Sequence, residues 1–95
     1  MSRVDDIKTW TFLTNHAQVL LRLAEVPDVR LRDVAEHVGI TERATQRILA
    51  DLVEAGYVKV ERVGRRNRYT VDREHAMRHS AQLGHEIGAL LEALT

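Results

Sequence analysis

The stretch Leu31-Arg-Asp-Val-Ala-Glu-His-Val-Gly-Ile-Thr-Glu-Arg-Ala-Thr-Gln-Arg-Ile-Leu-Ala-Asp-Leu-Val-Glu-Ala-Gly-Tyr-Val58 decides the fold. Leu31, Val34, Ala35 and Val38 recur at i, i+3, i+4 and i+7, one face of a short helix. Gly39 then supplies the left-handed residue that ends a helix in a sharp turn. Ile40 points inward, and Thr41 is the expected N-cap of a second helix, running to about Ala55. Thr45, Ile48, Leu49 and Leu52 form its inner face, and Gly56 closes it. The small Ala35 lets the two helices approach closely, and Ile40 and Leu49 lock the second steeply across the first.

Upstream, Thr14 is the expected cap of a helix over Asn15–Val26, stopped by Pro27 because proline disfavours helical geometry in the residue before it. Its only polar stripe is Gln18, Arg22 and Glu25, so the helix is buried on most sides and central to the fold. Asp28–Arg30 has room for a short strand. Downstream of Gly56 the period changes to that of strands. Tyr57–Arg62 and Arg68–Val71 flank Gly64-Arg65-Arg66-Asn67, a β-hairpin with a four-residue turn. Ser80–Leu94 places Leu83, Ile87, Leu90, Leu91 and Leu94 at helical spacing, with Gly84 and Gly88 beside the stripe as points of close helix approach. The fold class is therefore mainly α with a small β-hairpin. The order helix, short strand, helix, turn, helix, hairpin, helix is a winged helix-turn-helix plan in one domain over residues 1–95.

With 95 residues, the chain has room for one thin core that gains from a partner chain. The absence of cysteine removes disulfides, thiolate metal sites and cysteine nucleophiles together. No long apolar run exists, and Met1–Trp10 is charged, so a cytoplasmic protein without membrane association is expected. The net charge is zero, which by itself speaks against nucleic acid. The distribution points the other way: Lys59, Arg62, Arg65, Arg66 and Arg68 face only Glu61 within ten residues, a local balance of +4.

The segment Leu31–Val58, followed by Val63-Gly-Arg-Arg-Asn-Arg-Tyr69, resembles the reading heads of MarR- and ArsR-type bacterial transcription regulators over about residues 31–71. The ending Leu52-x-x-Ala-Gly-Tyr-Val58 and the arginine-rich wing carry the resemblance together. Two positions depart from the pattern. Arg30 stands where a serine or threonine usually caps the second helix, leaving Asp33 or Asp28 to satisfy its free N–H groups. Thr45 replaces a valine, and its hydroxyl is expected to bond back to the carbonyl of residue 41 or 42.

The resemblance implies a sequence-specific regulator of double-stranded DNA, with the third helix in the major groove. Arg43, Gln46, Arg47 and Ala50 line one outer stripe of that helix, with Thr41 and Glu42 at its start. Arginine pairs bidentately with guanine and glutamine with adenine, so this stripe suits base reading. Arg62, Arg65, Arg66, Asn67 and Arg68 on the wing suit phosphate, with Arg65 or Arg66 entering a narrow minor groove. The competing readings are a winged-helix protein-interaction module, or an architectural protein that binds DNA without sequence preference. The leucine stripe, with Trp10 and Phe12, needs apolar cover, and regulators of the resembled families commonly dimerise through such a helix, so a homodimer built on it is expected; the alternative is a helix that folds back and completes a monomeric core.

Five histidines raise the question of metal sensing. His75 and His79 would share a helix face, with His85 nearby and Glu74 or Glu86 to assist, yet two imidazoles alone make a weak site. Surface histidines are the plainer reading, and no cofactor is expected. His16, within an apolar helix, is expected to be buried and hydrogen-bonded, and His37 exposed. Neither a phosphate loop nor a nucleophile with a supporting base is present in the sequence, so no enzyme activity is expected.

Overall fold

The structure is a computed structural model and describes residues 10–95; residues 1–9, most of the charged N-terminal stretch, lie outside them. Four α-helices and one hairpin follow in the order α1 (Asn15–Glu25), α2 (Leu31–Val38), α3 (Glu42–Glu54), β1 (Val58–Val63), β2 (Arg66–Val71) and α4 (Ile87–Leu94). A 3-10 turn, Ser80–Gln82, precedes α4.

Thr14 caps α1, its side chain accepting from the Ala17 N–H at 3.1 Å. Val19, Leu20 and Leu23 are buried, and Leu21 and Ala24 pack against the core from its flanks. The helix touches α2, α3, α4 and β2, which makes it the axle of the domain. Val26, with φ −131°, has left helical geometry immediately before Pro27.

Gly39 ends α2 with φ +88°, the left-handed conformation that costs a residue with a Cβ most. No side chain caps the start of α2. Neither Asp28 nor Asp33 takes that role; instead the Asp33 and Val34 N–H groups both reach the Arg30 carbonyl, at 2.9 and 3.1 Å. Thr41 caps α3 through Ala44 N–H at 3.0 Å, and the buried Thr45 donates its hydroxyl to Thr41 O at 2.9 Å. A wholly buried hydroxyl is thereby satisfied inside the helix that carries it. At the far end, Tyr57 N–H reaches Leu52 O and Gly56 N–H reaches Val53 O, a Schellman closure around Gly56 at φ +89°. That closure delays β1 until Val58.

The hairpin is longer and its turn tighter than the sequence implies. Val63 pairs with Arg66, so only Gly64 and Arg65 form the turn. Gly64 has φ +62° and Arg65 does not have positive φ, the pattern of a II′ turn. Pairing continues through Arg62–Asn67, Glu61–Arg68, Val60–Tyr69, Lys59–Thr70 and Val58–Val71. Val58, Val60, Arg62, Asn67, Tyr69 and Val71 thus share one face. Tyr69 and Val58 root that face in the core.

Asp28–Arg30 is not a strand. The chain turns there, with Val29 N–H bonded to Val26 O at 3.1 Å, and two of its carbonyls accept from the hairpin: Pro27 O from Tyr69 N–H at 2.8 Å and Asp28 O from the Arg66 side chain at 2.6 Å. The turn sits at Pro27–Asp28, and Arg30, though extended, leads straight into α2, so one backbone bond to β2 forms and no third ladder follows.

The C-terminal helix is also shorter than its apolar spacing suggests. Only Ile87–Leu94 is α-helical. Gly84 stands in a turn at φ +94°, and Ala76 and Glu86 form an isolated bridge. Gly88 N–H donates to Arg73 O at 2.8 Å, and a Cβ on Gly88 would lie 2.6 Å from that oxygen. Gly88 therefore admits a loop of its own chain. Ile87 and Leu91 are buried in the domain's own core, whereas Leu83 and Leu94 remain exposed.

Candidate nucleic-acid interface

The third helix divides cleanly. Thr45, Ile48 and Leu52 face the core, and Thr41, Glu42, Arg43, Gln46, Arg47 and Ala50 are all exposed. Arg43 and Arg47 border a shallow recess between α3 and the start of α1, shared with His16 and Asp51. Asp51, one helical turn beyond Arg47, is held by His16: Nε2 lies 2.8 Å from Oδ2. His16 is hydrogen-bonded, as its sequence reading requires, but half exposed rather than buried. It sits on the first turn of α1, where that helix passes α3 instead of crossing the core.

A second recess lies between the tip of the wing and the turn before α2. Arg30, Arg62, Arg65 and Arg66 line it with Asp28 and Asn67. Arg66 Nη2 donates to Asp28 O at 2.6 Å, and Arg62 Nε donates to Gly64 O at 3.2 Å. Arg65 and Arg68 are exposed, and Asn67 is half-buried. Among the described residues Asp51 is engaged by His16 and Glu25 by Arg22, and no described carboxylate pairs with an arginine of the wing or of the α3 stripe. Arg30 was not legible as part of this recess. In the sequence Arg30 marks only an unusual cap at the start of α2, and the hairpin that it faces comes more than thirty residues later.

The histidines do not assemble a metal site. His75 and His79 fall in the irregular segment before α4 and not on a helix. His75 Nε2 donates to Ala55 O at 2.8 Å while its ring packs edge-on against Tyr57, centroids 4.5 Å apart. His79 Nδ1 accepts from Ala81 N–H at 3.0 Å. Among the described residues, no three metal-ligating side chains cluster. His75 and Tyr57 instead fasten the C-terminal segment to the end of α3. The Tyr57 hydroxyl donates to Ala76 O at 2.6 Å, and burial pushes its pKa up, opposed in part by the positive field of Arg78.

A family profile, that of the MarR family, matches residues 11–68, from just before α1 to the middle of β2. The chain belongs to the MarR family. It has the winged-helix fold, and the matched span holds α1, α2, α3 and most of the wing. Solved structures agree on the fold. A predicted DNA-binding transcriptional regulator from E. coli superimposes with TM-score 0.58 at 19% identity, over 82% of this chain and 70% of that one. The transcriptional regulator SlyA gives 0.56 at 17% identity, over 70% and 49%. The Mycobacterium tuberculosis MarR-family protein Rv2887, in complex with salicylic acid, gives 0.56 at 24% identity, over 86% and 57%. This MarR-family chain thus spans about half the length of the second and third. No curated protein matches it. Among the described residues, no helix is long and apolar enough to cross a membrane.

Proposed function

We propose that the chain is a sequence-specific transcription regulator that lays α3 in the major groove of double-stranded DNA and its arginine wing along phosphate and minor groove. The observation that carries this reading is the α3 stripe. Arg43, Gln46 and Arg47 are exposed at i, i+3 and i+4 on a helix whose opposite side is fixed in the core. Such a stripe offers hydrogen-bonding groups on a rigid element, which base reading requires and an acidic docking partner does not. Arg62, Arg65 and Arg68 add the cationic surface that holds a duplex in register.

Selection of duplexes from a random pool, followed by binding of the winners and of scrambled controls across a salt series, tests this. One sequence class should be retained, and log affinity should fall linearly with log salt, by about 0.9 per phosphate contacted. Equal affinity for every duplex would replace the regulator with an architectural protein. Absence of binding at about 50 mM salt, where phosphate contacts are strong, would overturn the DNA reading.

The same reading carries a homodimer. Trp10 and Phe12, packed edge to face at 4.9 Å, are 64% and 92% exposed, and Leu83 and Leu94 are exposed as well. A second copy covering them would bury surface that the thin core of one chain leaves in water. Sedimentation at tens of micromolar should show two chains, and Phe12→Glu with Leu94→Glu should return one. A wild-type monomer at that concentration would end the dimer proposal.

A further inference from the structure

The wing's arginines do equivalent work in the sequence but not in the structure. The outer half of the hairpin has little core beneath it: Val60 is 38% and Val63 57% exposed, while burial is confined to Val58 and Tyr69 at the root. An isolated two-stranded ribbon is marginally ordered in water, so the direction of its tip depends on contacts made elsewhere. Two contacts supply it, and both end on the same short turn. Tyr69 N–H reaches Pro27 O at 2.8 Å, and the Arg66 guanidinium reaches Asp28 O at 2.6 Å. That turn is a firm abutment. It is closed by the Val29–Val26 bond, carries a proline and runs directly into α2, which packs on α3. A hydrogen bond from a charged donor is the stronger kind, and this one spans 38 residues of sequence. Arg65, by contrast, sits in the turn itself, and no described hydrogen bond or ion pair engages it.

We infer that Arg66 is a positioning residue, which ties the wing to the turn before α2 and so presents Arg65 to the DNA. The inference rests on the DNA-binding reading for its consequence but not for its structural half. Arg65 is then the tip residue that meets phosphate or the minor groove, and Arg66 acts through it.

A double-mutant cycle on the selected duplex separates this from two independent phosphate contacts. Arg65→Ala and Arg66→Ala should each weaken binding by about fivefold, the scale of one surface hydrogen bond. The double variant should be no weaker than Arg65→Ala within about twofold, with the salt slope reduced by about 0.9 in all. Multiplying losses, with a slope reduced by about 1.8, would overturn the inference. A measurement without DNA tests the tie itself. Amide exchange at Tyr69 should accelerate in Arg66→Ala and stay unchanged in Arg65→Ala; equal exchange in both variants would overturn it. If the wild-type protein binds no duplex, the DNA reading fails, and the exchange result still decides whether Arg66 holds the wing.

Discussion

Leu23→Ala should lower the unfolding free energy by about 2–5 kcal/mol, the largest stability effect expected of a single substitution in this chain. Leu23 is wholly buried in α1, the one element in contact with α2, α3, α4 and the wing. Removing its branched end takes apolar surface from the core and leaves a cavity in the helix on which the other elements pack. Domains of this size have roughly 5–10 kcal/mol in hand, so the variant would stand close to the edge of folding. The thermal midpoint should fall by on the order of 15 °C, given about 4–8 °C per kcal/mol. Val53→Ala is the control: at 41% exposure it should stay within about 0.5 kcal/mol of wild type. Chemical denaturation of both variants decides the matter. A loss below about 1 kcal/mol for Leu23→Ala would mean that α1 is not the axle of the core.

The same axle explains why so much of the fold is legible from the residues alone. Val19, Leu20 and Leu23 bury where α1's apolar pattern places them, and Thr45, Ile48 and Leu52 do so on α3. Gly39 takes the left-handed turn that its position between two periodic runs requires. The Thr45 hydroxyl finds Thr41 O, a bond within one helix. All of these are local, and local geometry is what side-chain spacing encodes.

What the residues did not disclose is long-range. Ser80–Leu94 has helical spacing throughout, yet the stretch before Ile87 is held by the Ala76–Glu86 bridge, and Gly84 takes a left-handed turn. Arg73, fifteen residues before Gly88, occupies the space that the missing Cβ leaves. His16 meets Asp51 across 35 residues, and Arg66 meets Asp28 across 38. No periodicity in either partner signals such a pairing. For the candidate interface, then, the stripe on α3 was readable and its surroundings were not. The exposure of Arg43, Gln46 and Arg47 follows from the helix period, whereas the division between Arg65 and Arg66 needs the turn at Pro27–Asp28.

Gln46→Ala and Arg47→Ala should each remove about 1–3 kcal/mol of discrimination at particular base positions, roughly five- to more than a hundredfold in relative affinity. Both side chains are exposed on the face of α3 opposite Thr45, Ile48 and Leu52, so their truncation leaves the core untouched. Stability should therefore hold within about 0.5 kcal/mol, and any change in binding can be assigned to the contact itself. The two substitutions should differ in kind. Glutamine is neutral, so Gln46→Ala should relax selectivity, most simply at an adenine, with non-specific affinity and salt slope unchanged. Arg47 brings a charge near the phosphates whether or not it reads a base. Asp51, the acidic neighbour one turn away, is hydrogen-bonded to His16 at 2.8 Å, and no described ion pair joins it to Arg47. Arg47→Ala should therefore lose selectivity, most simply at a guanine, and a smaller uniform share of affinity. Binding of each variant to every single-base derivative of the selected duplex gives both profiles. If both variants keep the wild-type profile at every position, α3 does not read bases, and a regulator that chooses its site through this helix is excluded.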